Sequence, residues 1–182
     1  MIGGVGAYTA ALADALARAG VEAAVLTSVN AQPVTAGRVP VHPLVGRWDA
    51  RAWRQILHMA HSTAADWVHV QYQTAAFAMN PTLNLVARGR GFSLAWTYHD
   101  LLDAYLFPKA GARLRRWTTE RPAARADLVI VTNEGDRQRL ARATRNLHTI
   151  PIRSNIAGVR LPEPARREVR STYGFGDNDL LL

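Results

Sequence analysis

The sequence predicts an α/β fold, a doubly wound parallel sheet with helices on both faces. Three observations predict it. Short runs rich in Val, Ile, Leu and aromatic residues recur at 21–27, 66–72, 92–98, 127–132 and 147–152. Stretches with helical spacing separate these runs, and several runs are continuously apolar, as strands covered on both faces are. Polar residues then collect where the runs end, at His99-Asp100, Asn133 and Asn155. Ligands of such sheets bind beyond the carboxyl ends of the strands.

The elements follow in order. Gly3, Gly4 and Gly6 form a glycine loop opening a helix of Ala and Leu through Arg18, which Gly20 stops. Bare N–H groups at a helix start favour an anion. No Lys follows these glycines, so a P-loop is excluded, and a dinucleotide fingerprint is weak because Gly4-Val5-Gly6-Ala7-Tyr8-Thr9 ends on Thr. On the loop alone, phosphate contact and simple close packing stand equal. A strand over 21–27 comes next, then a polar loop at 31–37 and a short strand over 38–45 limited by its prolines.

Asp49 is a cap for a helix over 50–64, with Trp53, Ile56, Leu57 and Ala60 at helical spacing. His58 and His61 sit three apart there, and without a third ligand a surface pair is the simpler reading than a metal site. A strand at 66–72 leads to Asn80-Pro81, which starts a helix to about 88. The strand 92–98 runs into His99-Asp100. A loop at 101–109 precedes a basic helix over 112–125, then a strand at 127–132, a helix at 134–144 and a last strand at 147–152. Beyond lie Pro162 and Pro164, a basic helix over 165–173 and Asp177-Asn178-Asp179-Leu180-Leu181-Leu182.

Composition narrows the function. The chain has 182 residues, no cysteine and a net charge of +8. Disulfides, thiolate metal sites and cysteine nucleophiles are therefore excluded, and a reducing compartment is compatible. No apolar run approaches the ~18 residues of a membrane span, and the first basic residue is Arg18, so a cytoplasmic location is expected, at most peripheral to the inner face of a membrane. Lys109 is the sole lysine among 22 basic residues. The arginines concentrate on predicted helices without an aromatic strand platform, which argues against nucleic acid and fits anionic lipid or phosphorylated substrates. Arg113, Arg115, Arg116 and Trp117 are the candidate membrane or anion contact.

Several segments together carry a family resemblance. They are Gly3-Gly4-Val5-Gly6-Ala7-Tyr8 with its helix, Asp66-Trp67-Val68-His69-Val70, and Thr97-Tyr98-His99-Asp100-Leu101. Tyr105-Leu106-Phe107-Pro108-Lys109-Ala110-Gly111, Ala126-Asp127-Leu128-Val129-Ile130-Val131-Thr132-Asn133 and Ile150-Pro151-Ile152-Arg153-Ser154-Asn155-Ile156 complete them. In order and spacing over about 3–156 the chain resembles the N-terminal, acceptor-side domain of a GT-B fold family 4 (group 1) glycosyltransferase.

The resemblance implies a Rossmann-like domain, one half of a GT-B fold, over residues 1–156. Residues 157–182 then read as a linker and the start of a C-terminal donor-binding domain. It implies a hexosyltransferase-like enzyme of carbohydrate biosynthesis. Such an enzyme moves a sugar from a nucleotide-sugar donor to a glycan, lipid or small-molecule acceptor with retention at the anomeric carbon. No metal and no cofactor are expected, the nucleotide sugar being a substrate. His99 corresponds to a histidine that touches the donor sugar and helps stabilise the transition state, making it the catalytic candidate. Gly3, Gly4, Gly6, Tyr8, Asp100, Asn133 and Asn155 are the candidates for donor-phosphate or acceptor binding. Read from the residues alone, Asn133 and Asn155 serve equally well as loop caps, while the place of His99 at a strand's carboxyl end favours a functional role over a structural histidine paired with Asp100.

Three differences from the family pattern carry expectations. Only Met1-Ile2 precede the glycine loop where the family has a strand, so unpaired sheet edges and self-association through them are expected. The donor-binding motifs of a second domain are absent, so the isolated chain is expected to be inactive. Arg153 stands where relatives usually carry glycine. Two other readings stay open: a non-catalytic module binding an anionic membrane or acidic partner, and a nucleotide-sugar epimerase.

Overall fold

The structure, a computed structural model, describes residues 4–31, 38–88, 91–102, 111–152, 161–176 and 179. The chain divides into two units, Met1–Ile152 and Arg153–Leu182. In the first, helix α1 (Gly4–Arg18) leads to strand β1 (Val25–Ser28) and strand β2 (Val41–Val45). Helix α2 (Ala52–Ser62), strand β3 (Trp67–Tyr72), helix α3 (Thr82–Val86) and strand β4 (Ser93–Tyr98) follow. Helix α4 (Gly111–Glu120) continues as a 3₁₀ turn (Arg121–Ala124) into strand β5 (Leu128–Val131), helix α5 (Glu134–Leu140) and strand β6 (Leu147–Thr149). The second unit holds helix α6 (Glu163–Thr172), none of whose residues is buried.

Every strand pair is parallel. β3-β4-β5-β6 form one sheet in sequence order and β1-β2 another. Side chains alternate along a strand, so Val70, Tyr72, Leu94, Trp96, Tyr98, Val129 and Val131 share one face and enter one core. Trp53 and Ile56 of α2, Leu83 of α3, Ala123 of the 3₁₀ turn and Leu140 of α5 pack into the same core. Helix α1 lies instead against β3, where Tyr8 meets His99 on the opposite face. Helices on both faces of a parallel sheet make this the predicted doubly wound architecture.

An aromatic cluster ties the four-stranded sheet together. The Tyr72 ring lies 5.5 Å from Trp96, 5.7 Å from Tyr98 and 5.2 Å from Phe77, centroid to centroid. The buried phenols are satisfied: Tyr98 donates to the Thr119 carbonyl at 3.0 Å, and Tyr72 accepts from Asn84 Nδ2 at 3.0 Å. Burial raises the Tyr98 pKa well above its ordinary value, and the Tyr72 phenol adds to the shift.

The β3 edge facing away from β4 is open among the described residues. Ser93 N–H donates to the Asp66 carbonyl and His99 N–H to the Tyr72 carbonyl, both at 2.8 Å. The even-numbered residues of β3 therefore carry the ladder, and Trp67, His69 and Gln71 turn their backbone groups to the open edge.

Several boundaries differ from expectation, each for a local reason. Gly4 and Gly6 sit inside the first turn of α1 rather than in a loop before it. Helix α1 ends as expected: Gly20 adopts φ +84°, and Val21 N–H reaches the Leu16 carbonyl at 3.0 Å. The strand expected over 21–27 pairs only from Val25, whose partner Val41 opens β2. Asp49 does not cap α2; its Oδ1 accepts from Arg51 N–H at 2.8 Å, one turn before the helix. The helix expected over 112–125 ends its α-helical part at Glu120, because Pro122 lacks an N–H and its ring opposes the preceding turn. Helix α5 stops at Leu140 and turns through Ala143, whose N–H bonds the Leu140 carbonyl at 2.8 Å.

Candidate functional site

Strand β4 ends in the buried pair Thr97-Tyr98, and His99 follows with its N–H still on the β3 ladder. The imidazole is thereby fixed one residue past the strand's carboxyl end. The Tyr8 ring of α1 meets it edge to face, with 4.8 Å between centroids and 79° between planes. Its Nε2 lies 2.9 Å from Gln71 Oε1. The histidine's side-chain partner is thus Gln71 rather than Asp100. Asp100 Oδ1 instead accepts long bonds from Leu102 N–H at 3.4 Å and Thr74 N–H at 3.5 Å, holding the loop after the strand. Thr132 Oγ1 donates to the His99 carbonyl at 3.4 Å, joining the β5 end to the same place.

Burial lowers the His99 pKa below the ordinary 6.5, and the Asp100 carboxylate pulls it partly back. His69 is lowered as well, by burial first and then by repulsion from His99. Both rings are biased toward the neutral form.

Beside Tyr8, the opening turn of α1 contributes its first N–H groups, which have no partner within the helix. Among the described residues, a Cβ built on Gly4 meets nothing within 4 Å. Small residues at a helix's first turn suit close approach of an anion to such N–H groups.

Residues 2–152 match the model of Glycosyltransferase Family 4. The chain belongs to glycosyltransferase family 4. No curated protein and no solved structure matches it.

Membership in the glycosyltransferase family gives the remaining candidates a frame. Asn133 starts α5: its Oδ1 accepts from Asp136 N–H and its Nδ2 donates to Asp136 Oδ2, both at 2.8 Å. That side chain is engaged as a helix cap at the end of β5. Gly3, Asn155, Arg153 and the loop residues 103–109 lie outside the described residues. Of the arginine group on α4, Arg116 Nε is paired with Glu120 at 2.8 Å, and Glu120 also binds Arg139 at 2.6 Å. Arg115 is half-buried, with its Nε enclosed and unpartnered, while Arg113 is exposed. Trp117 is 48% exposed and carries the Arg121 guanidinium 4.9 Å from its ring centre. His58 and His61 are exposed on α2.

Gln71, His69 and Thr97 escaped the sequence reading. Their signal was present: three polar residues interrupt otherwise apolar strands, and period-two alternation puts all three on the face opposite the core.

Proposed function

We propose that this family 4 domain is the acceptor side of a retaining hexosyltransferase whose donor is a nucleotide sugar. One observation supports the reading above the others. His99, half-buried and biased to its neutral form, stands past a strand's carboxyl end against Tyr8, the helix α1 residue that follows its glycine-rich first turn. Departure of the leaving group builds negative charge on a diphosphate and positive charge on the sugar ring. Helix-start N–H groups suit the first, and a neutral imidazole can orient a hydroxyl beside the second without adding positive charge. Asp100, turned to loop backbone, serves placement rather than base catalysis in this reading.

The experiment is calorimetric titration of a panel of UDP- and GDP-sugars. One sample is the chain alone; the other joins it to a family donor-binding domain after residue 182. We expect binding only in the joined form and for one donor class. Binding by neither sample would demote the transferase reading, and an isomerised sugar nucleotide as sole product would favour an epimerase.

A second reading, peripheral contact with an anionic membrane, is favoured by one cluster. Arg121 Nε and Arg125 NH1 both donate to the Leu85 carbonyl, at 3.3 and 3.5 Å. Desolvation first, and then repulsion from Arg121 and Arg88, lowers the Arg125 pKa. None of the three is paired with a carboxylate among the described residues. Exposed Leu114 and Trp117 lie on α4, which leads into Arg121, and exposed Val86 ends α3, two residues before Arg88. Basic residues ringing exposed apolar ones fit a lipid surface. Sedimentation with anionic vesicles that weakens with salt, and that Arg121→Glu with Arg125→Glu abolishes, is the expected result. Equal binding to neutral vesicles would overturn it.

A further inference from the structure

The polar side chains on the α1 side of β3 and β4 form one connected chain. Thr97 Oγ1 lies 2.7 Å from His69 Nε2, His69 Nε2 lies 3.0 Å from Gln71 Nε2, and Gln71 Oε1 lies 2.9 Å from His99 Nε2. Each junction constrains the next. Thr97 is 1% exposed, and its hydroxyl has His69 as partner. A buried hydroxyl that does not donate is costly, so Thr97 gives its proton to His69 Nε2 and that nitrogen carries the lone pair. The amide end facing a lone pair must be the NH₂ group. Gln71 therefore turns Nε2 toward His69 and Oε1 toward His99. An amide oxygen only accepts, so His99 holds its proton on Nε2. Its Nδ1 is left with an unused lone pair among the described residues.

We infer that Gln71 and Thr97 are positioning residues that act through this chain to lock His99 as its Nε2–H tautomer. The lock presents Nδ1 as an acceptor for a ligand hydroxyl. The inference rests on the reading of His99 as a substrate contact and assigns that contact its direction: the hydroxyl donates and the imidazole accepts. Thr97 sets the polarity of the whole chain without touching His99. A neutral imidazole alone in water exchanges freely between tautomers; here the strand pairing that registers Gln71 beside Thr97 removes that freedom.

Long-range ¹H–¹⁵N correlation spectra of the ¹⁵N-histidine-labelled chain at neutral pH read the tautomer directly. The wild-type chain is expected to show His99 with Nε2 protonated and Nδ1 bare. Gln71→Leu removes the acceptor and is expected to give a tautomer mixture. Thr97→Val, nearly isosteric, frees Gln71 to reverse and is expected to give a mixture at His99 as well. Gln71→Glu keeps an acceptor at that place and is expected to retain the Nε2–H form while raising the His99 pKa. A tautomer mixture in the wild-type chain overturns the inference, as does an unchanged Nε2–H signal in folded Gln71→Leu. Should Gln71→Leu fail to fold, the glutamate variant decides: an unmoved His99 titration counts against the chain. Loss of the lock would leave open whether His99 serves sugar transfer, and unchanged transfer in His99→Ala would remove the catalytic reading while leaving the tautomer result standing.

Discussion

At the residue scale, protonation couples the site to folding. The groups facing His99 are Tyr8 from α1, Gln71 and His69 from β3, and Asp100 beside it. Both histidines have pKa values below the ordinary 6.5 in the folded chain. The unfolded chain then binds more protons as pH falls through 6.5, so stability drops on acidification and is complete above that value. Thermal melts across this range should show the melting temperature falling below about pH 6.5, with the slope flattened in the His69→Gln, His99→Gln double variant. A melting temperature that rises on acidification would contradict the stated burial. His99 was legible from its place at a strand end. Its partner was not: pairing with Asp100 stood only as the alternative, because adjacency in sequence says little about side-chain direction along a strand, whereas Gln71 reaches it across the sheet.

At the scale of elements, the central strands were legible because burial on both faces erases alternation and leaves runs such as Leu128–Val131. Helix ends were harder, since caps depend on geometry that a residue type only permits. Asn133 caps and Asp49 does not, though both residue types favour that role. Asn133→Ala should therefore cost about 1 kcal/mol and lower the melting temperature by about 2–4 °C, while Asp49→Ala should cost less. Trp96 is fully buried amid Tyr72 and Tyr98. Trp96→Ala should cost about 3–5 kcal/mol, measured by urea denaturation.

At the scale of the molecule, α1 lies on one face of the four-stranded sheet, and α2, α3 and α5 send side chains into the core on the other. Ligands of doubly wound sheets bind beyond the carboxyl ends of the strands, and Gln71 and His99 stand there with Tyr8 against the imidazole. The β3 edge is open among the described residues, with Trp67, at the strand's amino end, 51% exposed. An unpaired edge with an exposed aromatic residue invites strand pairing between copies. Light scattering should show mass rising with concentration, and Trp67→Lys should suppress the rise. The family was legible from motif order across the whole first unit. Donor and acceptor identity were not, because no described residue encodes them by a physical rule as simple as strand burial or helix capping.

Sugar transfer is the role proposed for His99. Its most direct test is turnover by His99→Ala in the form joined to a donor-binding domain, with the donor identified by titration. A loss of roughly 10²–10³-fold is expected, as for removal of one transition-state hydrogen-bonding group, with donor binding retained. Undiminished turnover in a folded His99→Ala protein would contradict it.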